Sequence, residues 1–242
     1  MIPPNNPGRR PKKSLNSKSS IPVREQTVNT MREAILDLEL KPGQRLVERE
    51  FIDRLGISRT TFREALRQLS SEGLVTVVPQ KGARVSSPSV KEATDLYEIR
   101  AALESLVVTR FVERATAEEI ESLRELIFEF DKAVERTTDT KELLDAKENF
   151  YRVLIAGARS EVLEQTLNGI KARVRALRSR SLSRPGRAVE TAAELHAVVE
   201  AIADGNAVLA SALCAQHVRV AGDIAINDLR LSQGDEGARE AS

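Results

Sequence analysis

The N-terminal architecture of this 242-residue chain follows from the stretch Gly56-Ile57-Ser58-Arg59-Thr60-Thr61-Phe62-Arg63-Glu64-Ala65-Leu66. A helical pattern runs up to Leu55 and stops at Gly56, whose missing Cβ suits a sharp turn. Ser58 then stands where the N-cap residue of a second helix accepts a hydrogen bond from a free backbone amide. Two helices joined by such a turn predict a helix-turn-helix.

The second of these helices has two chemically different faces. Its apolar residues recur at spacings of three and four, which predicts a face that packs against the preceding helix. These residues are Phe62, Ala65, Leu66 and Leu69. The opposite face carries Arg59, Thr60, Arg63 and Arg67. Donor side chains grouped in this way suit the major groove of DNA, where base edges and phosphates accept hydrogen bonds.

The neighbouring segments extend this motif to a winged helix-turn-helix domain over residues 23–86. Upstream, residues 26–40 have apolar side chains at helical spacing and are followed by Pro42-Gly43, which predicts a first helix. Downstream, short β-type runs at 74–78 and 83–85 flank Pro79-Gln80-Lys81-Gly82. This pattern predicts a β-hairpin, the wing, whose tip carries Lys81 toward DNA.

Residues 1–22 are predicted to form a disordered basic arm. The segment is rich in Pro, Asn, Ser, Lys and Arg, and it has few apolar residues to offset the entropy of ordering. No acidic residue precedes Glu25. Two interpretations stay open: the arm adds nonspecific DNA affinity through counterion release, or it is a solubilising tail.

The rest of the chain predicts an all-helical domain, so the expected fold class is mainly α with one small hairpin. Residues 87–89 form a hinge, and Ser89 with Glu92 matches a capping box that starts a new helix. About six helices follow one another across residues 90–231 with short breaks and no strand pattern, which is typical of a helical bundle. The remaining residues, 232–242, are predicted to be a disordered tail.

Composition excludes several classes of protein. Cys214 is the single cysteine, so an intramolecular disulfide is excluded. No apolar run is long enough to span a bilayer and no signal-peptide pattern is present, so we expect a cytoplasmic protein with no membrane partner. The net charge of +1 excludes a uniformly basic nucleic-acid binder but allows a local basic patch.

The motifs of residues 40–85 resemble the DNA-binding domain of GntR-family bacterial regulators. The matching pattern includes Pro42-Gly43, Glu48, the stretch 58–69, Gly73-Leu74-Val75 and Gly82. The resemblance implies a homodimer that binds a palindromic, double-stranded DNA operator. It also implies DNA contacts by Arg49, Ser58, Arg59, Thr60, Thr61, Arg63, Lys81 and Gly82. Arg59 or Arg63 is the expected guanine reader, whereas Arg67 fits a solvated surface arginine.

The helical domain resembles the ligand-sensing domain of the FadR-type subfamily and is closer to its shorter, VanR-like branch. The matching motif is Leu96-Tyr97-Glu98-Ile99-Arg100-Ala101-Ala102-Leu103-Glu104. Many members hold a divalent metal on an Asp, a His one turn later and two further His residues. Here Lys147 and Tyr151 stand at the first two positions, and His196 and His217 match the later two. A charged lysine is no metal ligand and two imidazoles make a poor divalent site, so we expect no metal cofactor.

The departure from the metal motif suggests a ligand instead. Our hypothesis is that the positive charge of Lys147 replaces the metal, and that a carboxylate or other small anion binds the cluster. The proposed ligand residues are Arg100, Lys147, Tyr151, Arg178, His196 and His217. The alternative is structural: Lys147 and Arg100 snorkel or pair with acids such as Glu104 or Glu148, and the histidines are hydrogen-bonded core residues.

Together these features predict a ligand-responsive transcriptional regulator, acting as a repressor, and not an enzyme. A small organic acid bound in the helical domain would control its affinity for the operator. Three alternatives remain: a metal-dependent sensor of the same family, a metal-dependent hydrolase built on His196 and His217, and an architectural DNA-binding protein without effector.

Overall fold

The computed structural model describes residues 22–37, 39–78, 80 and 82–240, with residues 172 and 233–240 described by their backbone only. Within these residues the chain forms nine helices and three short strands. Their order is α1 Val23–Leu36, β1 Arg45–Leu46, α2 Glu48–Leu55, α3 Arg59–Ser71, β2 Val75–Val78, β3 Gly82–Val85, α4 Val90–Arg114, α5 Ala117–Arg136, α6 Thr140–Gly157, α7 Glu161–Leu182, α8 Arg187–Ala203 and α9 Ala207–Glu240.

The helix-turn-helix is present as the sequence predicts. Gly56 ends α2 in the left-handed region, with φ of 62°, a backbone conformation that favours glycine. The Ser58 hydroxyl then caps α3 by accepting a hydrogen bond of 3.1 Å from the Thr61 amide. The rings of Phe51 and Phe62 stack with centroids 5.6 Å apart and join the two helices in the core of the N-terminal domain.

The wing contains one strand that the sequence pattern did not reveal. The sheet has the order β1-β3-β2, and both neighbouring pairs are antiparallel. The hairpin of β2 and β3 is the predicted one. Strand β1 spans only two residues, pairing Arg45 with Arg84 and Leu46 with Ala83, and so is too short to show the alternation by which strands are recognised.

The helical domain consists of α4 to α9, and its helices begin where their caps predict. Ser89 accepts a hydrogen bond from the Glu92 amide at the start of α4, and Thr116 with Glu119 forms a complete capping box at the start of α5. The apolar faces of the six helices bury a shared core that includes Phe111, Phe130 and Phe150. The described residues include no helix that is both long and apolar enough to cross a bilayer.

The C-terminal end of the chain differs from the predicted structure, and most of the N-terminal end lies outside the described residues. Helix α9 continues through Glu240, whereas we predicted a disordered tail over residues 232–242. Extending an existing helix costs little compared with nucleating one, so polar residues can follow the helical path of a well-packed segment. The predicted basic arm, residues 1–22, lies outside the described residues except for Pro22, which precedes α1.

Close approach of α4 and α6 requires a glycine at the end of α6. A Cβ placed on Gly157 would lie 2.5 Å from Cδ2 of Phe111, a ring that is fully buried. No side-chain atom can occupy that space unless the ring or the helix moves. The tight helix packing near the end of α6 therefore depends on Gly157.

We expect Gly157→Ala to lower the free energy of unfolding by about 1–3 kcal/mol, the usual cost of overpacking a core. Urea denaturation of the purified protein measures this. Gly169→Ala is the matched control, because Gly169 lies within α7 with no neighbouring atom within 4 Å. That control should gain roughly 0.5–1 kcal/mol from helix propensity. Equal stability of the two variants would contradict the packing argument.

Candidate functional site

The surface of α3 presents the predicted DNA-contacting arginines to solvent. The side chains of Arg59 and Arg63 are 80% and 62% exposed, and Arg49 on α2 is 91% exposed. Thr60 is exposed beside them. Ser58 and Thr61 also serve the helix cap, since their side-chain oxygens lie 2.9 Å apart and the Thr61 amide binds Ser58. The geometry brings all six residues to one end of the helix-turn-helix.

An acidic residue to which the sequence analysis assigned no role in the site lies close to both Arg59 and Arg63. Glu48 at the start of α2 is 3.5 Å from Nε of Arg59 through one carboxylate oxygen and 3.5 Å from Nη2 of Arg63 through the other. Exposed ion pairs of this kind contribute little stability. The Glu48 carboxylate thus lies beside both guanidinium groups at the N-terminal end of α3.

The wing and α3 line the same groove, as a winged helix-turn-helix requires. The groove is bordered by Arg63 and Arg67 on one side and by Arg45, Val77 and Gly82 on the other. Gly82 has a φ of 87°, and its missing side chain leaves the strand open to close approach. Lys81, the predicted phosphate contact at the tip, lies outside the described residues. Arg45 on β1 is a further exposed cation here that the sequence pattern did not identify.

In the helical domain, a buried polar cluster forms where five helices meet. The cluster, as we use the term, consists of Arg100 and Glu104 on α4, Lys147 and Tyr151 on α6, Arg178 on α7, Arg187 and Glu194 on α8, and His217 on α9. Five of the six predicted ligand residues belong to it. Two acids, Glu104 and Glu194, divide it into two groups of ion pairs.

The first group is centred on Glu104. Its Oε1 accepts hydrogen bonds from Nε of Arg100 at 3.0 Å and from Nη2 of Arg178 at 3.1 Å. The Arg178 guanidinium also lies over the Tyr151 ring, 4.3 Å from its centroid. Burial opposes ionisation of Glu104, but the charges of Arg100 and Arg178 outweigh it and lower the pKa of this carboxyl to about 2.

The second group is a chain of hydrogen bonds from Arg187 to Lys147. Two Arg187 nitrogens bond the two Glu194 oxygens at 2.7 and 2.6 Å, and the Glu194 carboxylate lies 2.5 Å from Nδ1 of His217. The other ring nitrogen of His217 lies 2.8 Å from Nζ of Lys147. Because a carboxylate only accepts, Nδ1 carries the proton, and the neutral ring then accepts at Nε2 from Lys147.

Burial controls the ionisation of this second group. It lowers the pKa of His217 to about 3, with the Lys147 charge adding to the effect and the bond to Glu194 opposing it. Burial likewise lowers the pKa of Lys147 well below its ordinary value, and Arg178 and Arg100 add to it. The neutral forms of both side chains are therefore favoured in the folded protein.

The prediction that His196 joins this cluster is wrong. Its side chain is 45% exposed, and its Nε2 lies 2.7 Å from Oδ2 of Asp131 on α5. Successive residues on a helix are rotated by about 100°, and the neighbouring Leu195 faces the core with 1% exposure. The apolar spacing of Leu195, Val198 and Ile202 already indicated that His196 lies off the buried face. Glu194 reaches the cluster instead.

The cluster does not fit a divalent metal. No group of three or more His, Cys, Asp or Glu side chains comes together among the described residues in a way that would hold one. His217 uses both ring nitrogens in hydrogen bonds, to Glu194 and Lys147, and the lysine amine takes the position next to the imidazole. A bound metal would have to displace Lys147 from His217.

A cavity of about 240 Å³ opens between α6 and α7 beside the first group. Its polar end is formed by Arg100, Glu104, Tyr151 and Arg178, and its wall includes Ile155, Leu167, Ile170 and Val174. Lys147 and His217 do not line it. Both terminal nitrogens of Arg100 and the Tyr151 hydroxyl are buried and have no hydrogen-bond partner among the described residues. Of the predicted ligand residues in the cluster, Arg100, Tyr151 and Arg178 thus line the cavity, whereas Lys147 and His217 do not.

Comparison with protein families matches both parts of the chain. Residues 23–85 match the family described as bacterial regulatory proteins, gntR family, and residues 95–220 match the FCD domain. The FCD match alone covers more than half of the 242 residues.

Individual relatives agree with the family matches. The Nta operon transcriptional regulator of Aminobacter aminovorans is 36% identical over 135 residues, which are 56% of this chain and 63% of that protein. The transcriptional repressor RspR of Escherichia coli is 28% identical over 153 residues, 63% of this chain and 67% of that protein. The matched region thus spans roughly two thirds of these relatives.

Two solved structures share the fold. Escherichia coli McbR/YncC superposes with a TM-score of 0.72 at 21% identity, covering 86% of this chain and 99% of that one. A GntR regulator from Rhodococcus sp. RHA1 also gives 0.72, at 24% identity, with 84% and 97% covered. The winged helix-turn-helix followed by a helical bundle is therefore an arrangement that occurs in known proteins.

We expect acidification to destabilise the protein through His217. The unfolded chain protonates this imidazole near its ordinary pKa of 6.5, whereas the folded ring stays neutral down to about pH 3. Between these values the unfolded state binds more protons, so the free energy of unfolding falls as the pH is lowered. A full one-proton difference is worth about 1.4 kcal/mol per pH unit.

Urea denaturation across this pH window measures the slope. His217→Gln is the comparison, because its amide oxygen still accepts a hydrogen bond but the side chain does not titrate. The slope should decrease in this variant. If the two proteins had the same pH dependence, the buried imidazole would not be its source.

Proposed function

Because the chain belongs to the bacterial regulatory proteins that join a gntR-type domain to an FCD domain, we propose that it is a transcriptional repressor controlled by a small organic acid. Its family members and relatives are transcriptional regulators, not enzymes. Binding to DNA belongs to the gntR part, and sensing of the acid to the helical domain. The observation that carries the effector proposal is the pair of unpartnered, buried Arg100 nitrogens beside the cavity.

The DNA-binding step uses Arg59 and Arg63. Both arginines stand in the first turns of α3, with the Glu48 carboxylate 3.5 Å from each guanidinium group. A guanidinium donates two parallel hydrogen bonds to the O6 and N7 atoms of guanine, which discriminates this base by about 1–3 kcal/mol. Arg49 and Arg45, which are both exposed, would neutralise phosphates.

The active species in this proposal is a homodimer on a palindromic operator. A single recognition helix contacts few base pairs, so two-fold pairing is the usual way to gain specificity. Helix α4 offers a surface for it. Ile99 and Leu106, two turns apart on the face not packed against α9, are 48% and 40% exposed, with the exposed Ala102 between them. Covering these apolar side chains would favour association of two copies.

The charge balance of the cluster favours an anionic ligand. In the group that lines the cavity, two arginines face one carboxylate, Glu104, which leaves one positive charge without a partner. A buried unpaired charge is costly, and a ligand carboxylate would compensate it while bonding the free Arg100 nitrogens. The apolar wall formed by Leu167, Ile170 and Val174 suits a hydrocarbon portion on the same molecule.

In this proposal Arg100, Tyr151 and Arg178 contact the acid directly. Lys147 belongs to the same cluster but makes no direct contact with the acid. The lysine, which stands at the Asp position of the metal motif, does not line the cavity and bonds His217. Regulation requires the acid to bind the DNA-competent and DNA-incompetent states with different affinities. Repression is supported by the 28% identical Escherichia coli relative, which is named a repressor.

DNA binding is tested with a site selected from a random oligonucleotide library. Arg59→Ala or Arg63→Ala should reduce the preference for this site over a single-base variant by roughly ten-fold or more, as loss of a guanine contact predicts. Arg67→Ala, on the next turn of α3, is the control and should weaken both duplexes to a similar small extent. Full discrimination in both Arg59→Ala and Arg63→Ala would exclude these arginines as base readers.

The same DNA complex tests the dimer. Sedimentation velocity should give a protein of twice the 26.7 kDa chain mass and a complex containing two chains per duplex. A monomer that binds one half-site with full selectivity would contradict the palindromic arrangement.

Effector binding is tested by thermal shift against a panel of mono- and dicarboxylic acids at constant ionic strength. At least one acid should stabilise the wild-type protein, and Arg178→Met should weaken its binding by roughly ten-fold or more, because a charge-assisted hydrogen bond is lost. Arg180→Met is the matched control, since Arg180 lies on the same helix but bonds Asp228 on α9. Unchanged binding in Arg178→Met would place the acid elsewhere.

A further inference from the structure

Arg175 on α7 crosses from the helical domain to the DNA-binding domain. Its side chain is 7% exposed, and its Nε donates a hydrogen bond of 2.6 Å to the backbone carbonyl of Leu36, the last residue of α1. Its Nη2 bonds Oδ1 of Asp145 on α6 at 2.6 Å. The carboxylate of Asp37 lies 3.8 Å from the same guanidinium. One buried side chain therefore connects three helices and both domains.

The end of α1 is a favourable place for such a connection. The last four carbonyls of a helix lack partners within it, and the C-terminal end carries partial negative charge. Arg175 satisfies one of these carbonyls with a cation. Lys141 on α6 is a second cation at this end of α1, and its amine donates a hydrogen bond of 2.6 Å to the Asp37 carboxylate. Both cations come from helices that border the cavity, Lys141 from α6 and Arg175 from α7.

The residues around Arg175 on α7 line the cavity. Val174 precedes it, Lys171 lies one turn before and Arg178 about one turn after, and all three border the cavity. Glu148 on α6 also borders the cavity, bonds Lys171 and lies 3.6 Å from Nη1 of Arg175. Arg175 therefore lies between the helices that line the cavity and the end of α1.

On the DNA side, α1 is joined to the recognition helix. Arg32 of α1 donates two hydrogen bonds to the carboxylate of Glu72, the C-cap residue directly after α3, at 2.9 and 2.7 Å. The two helices also share the core around Met31 and Leu69. A shift of α1 is thus transmitted to α3 through a paired ion contact and packed side chains.

We propose that Arg175 is the positioning residue that couples occupancy of the cavity to the orientation of the recognition helix. The path runs from the cavity wall through α7 to the end of α1, and from α1 through Arg32 and Glu72 to α3. This inference rests on the proposed function for the identity of its ligand. The coupling itself is a property of the protein and is measurable without one.

The test replaces the ligand with a side chain. Ile155→Phe adds bulk to the cavity from α6, and hydrogen exchange by mass spectrometry follows the backbone amides of residues 33–40 in the full-length protein. With Arg175 present, Ile155→Phe should change the exchange rate of this segment by about five-fold or more, the lower end of typical allosteric coupling. In an Arg175→Met background the same substitution should leave the rate within about two-fold.

Two further variants keep the test decisive. Arg180→Met is the matched control on α7, because Arg180 bonds Asp228 within the helical domain, and the response to Ile155→Phe should persist in it. Asp145→Asn covers the case in which Arg175→Met fails to fold, because it weakens one anchor of Arg175 at a side chain that is 54% exposed. It should reduce the response partially.

The inference is overturned by an equal response in the Arg175→Met and wild-type backgrounds, or by no response to Ile155→Phe in the wild type. Its failure is distinguishable from failure of the proposed function. Acid binding is measured separately by thermal shift, and Arg175→Met should still bind the acid because Arg175 does not line the cavity. If the protein bound no acid but its hydrogen exchange still depended on Arg175, the coupling would be supported and the proposed effector would be contradicted.

Discussion

Buried arginines need partners, because an uncompensated charge in a protein interior costs several kcal/mol. In the helical domain this requirement joins five helices. Arg100 and Arg187 are fully buried, and their acids, Glu104 and Glu194, also bond residues on other helices. Each acid neutralises a cation and orients a second side chain, Arg178 or His217. The cavity borders Arg100, Arg178 and Glu104, a group with two positive charges and one negative charge. The need to pair buried charges therefore also explains why this cavity favours an anion.

The same requirement operates at the domain boundary. Arg175 is buried between α1, α6 and α7, and its partners are a helix-terminal carbonyl and carboxylates. Such a contact is directional, since each guanidinium nitrogen donates a good hydrogen bond only to an acceptor within a narrow range of positions. An apolar contact at this place would tolerate sliding of the helices. The bonds of Arg175 therefore tie α7 to the end of α1 in one particular arrangement.

Much of the fold was predictable from local signals. Gly56 with Ser58, and Ser89 with Glu92, marked helix ends because turns and caps depend on a few adjacent residues. The cluster was predictable in part: Lys147, Tyr151 and Arg100 interrupt apolar faces at helical spacing, whereas Arg178 belongs to a basic run along α7. Glu194 was missed and His196 wrongly included, because a motif match was preferred to the apolar spacing of α8. Strand β1 was not predicted, because two residues are too few to show the alternation of polar and apolar side chains that is typical of a strand.

The sequence by itself determined the helices, their caps, the wing hairpin and the polarity of each face, since these depend on residues near one another in the chain. It also determined which charged residues lie on otherwise apolar faces. Only the tertiary structure decided their partners. Arg178 bonds Glu104 from 74 positions away, and Arg175 bonds Leu36 from 139 positions away. Such pairs depend on how helices pack in three dimensions, and helical spacing along one segment holds no information about the segment that it will face.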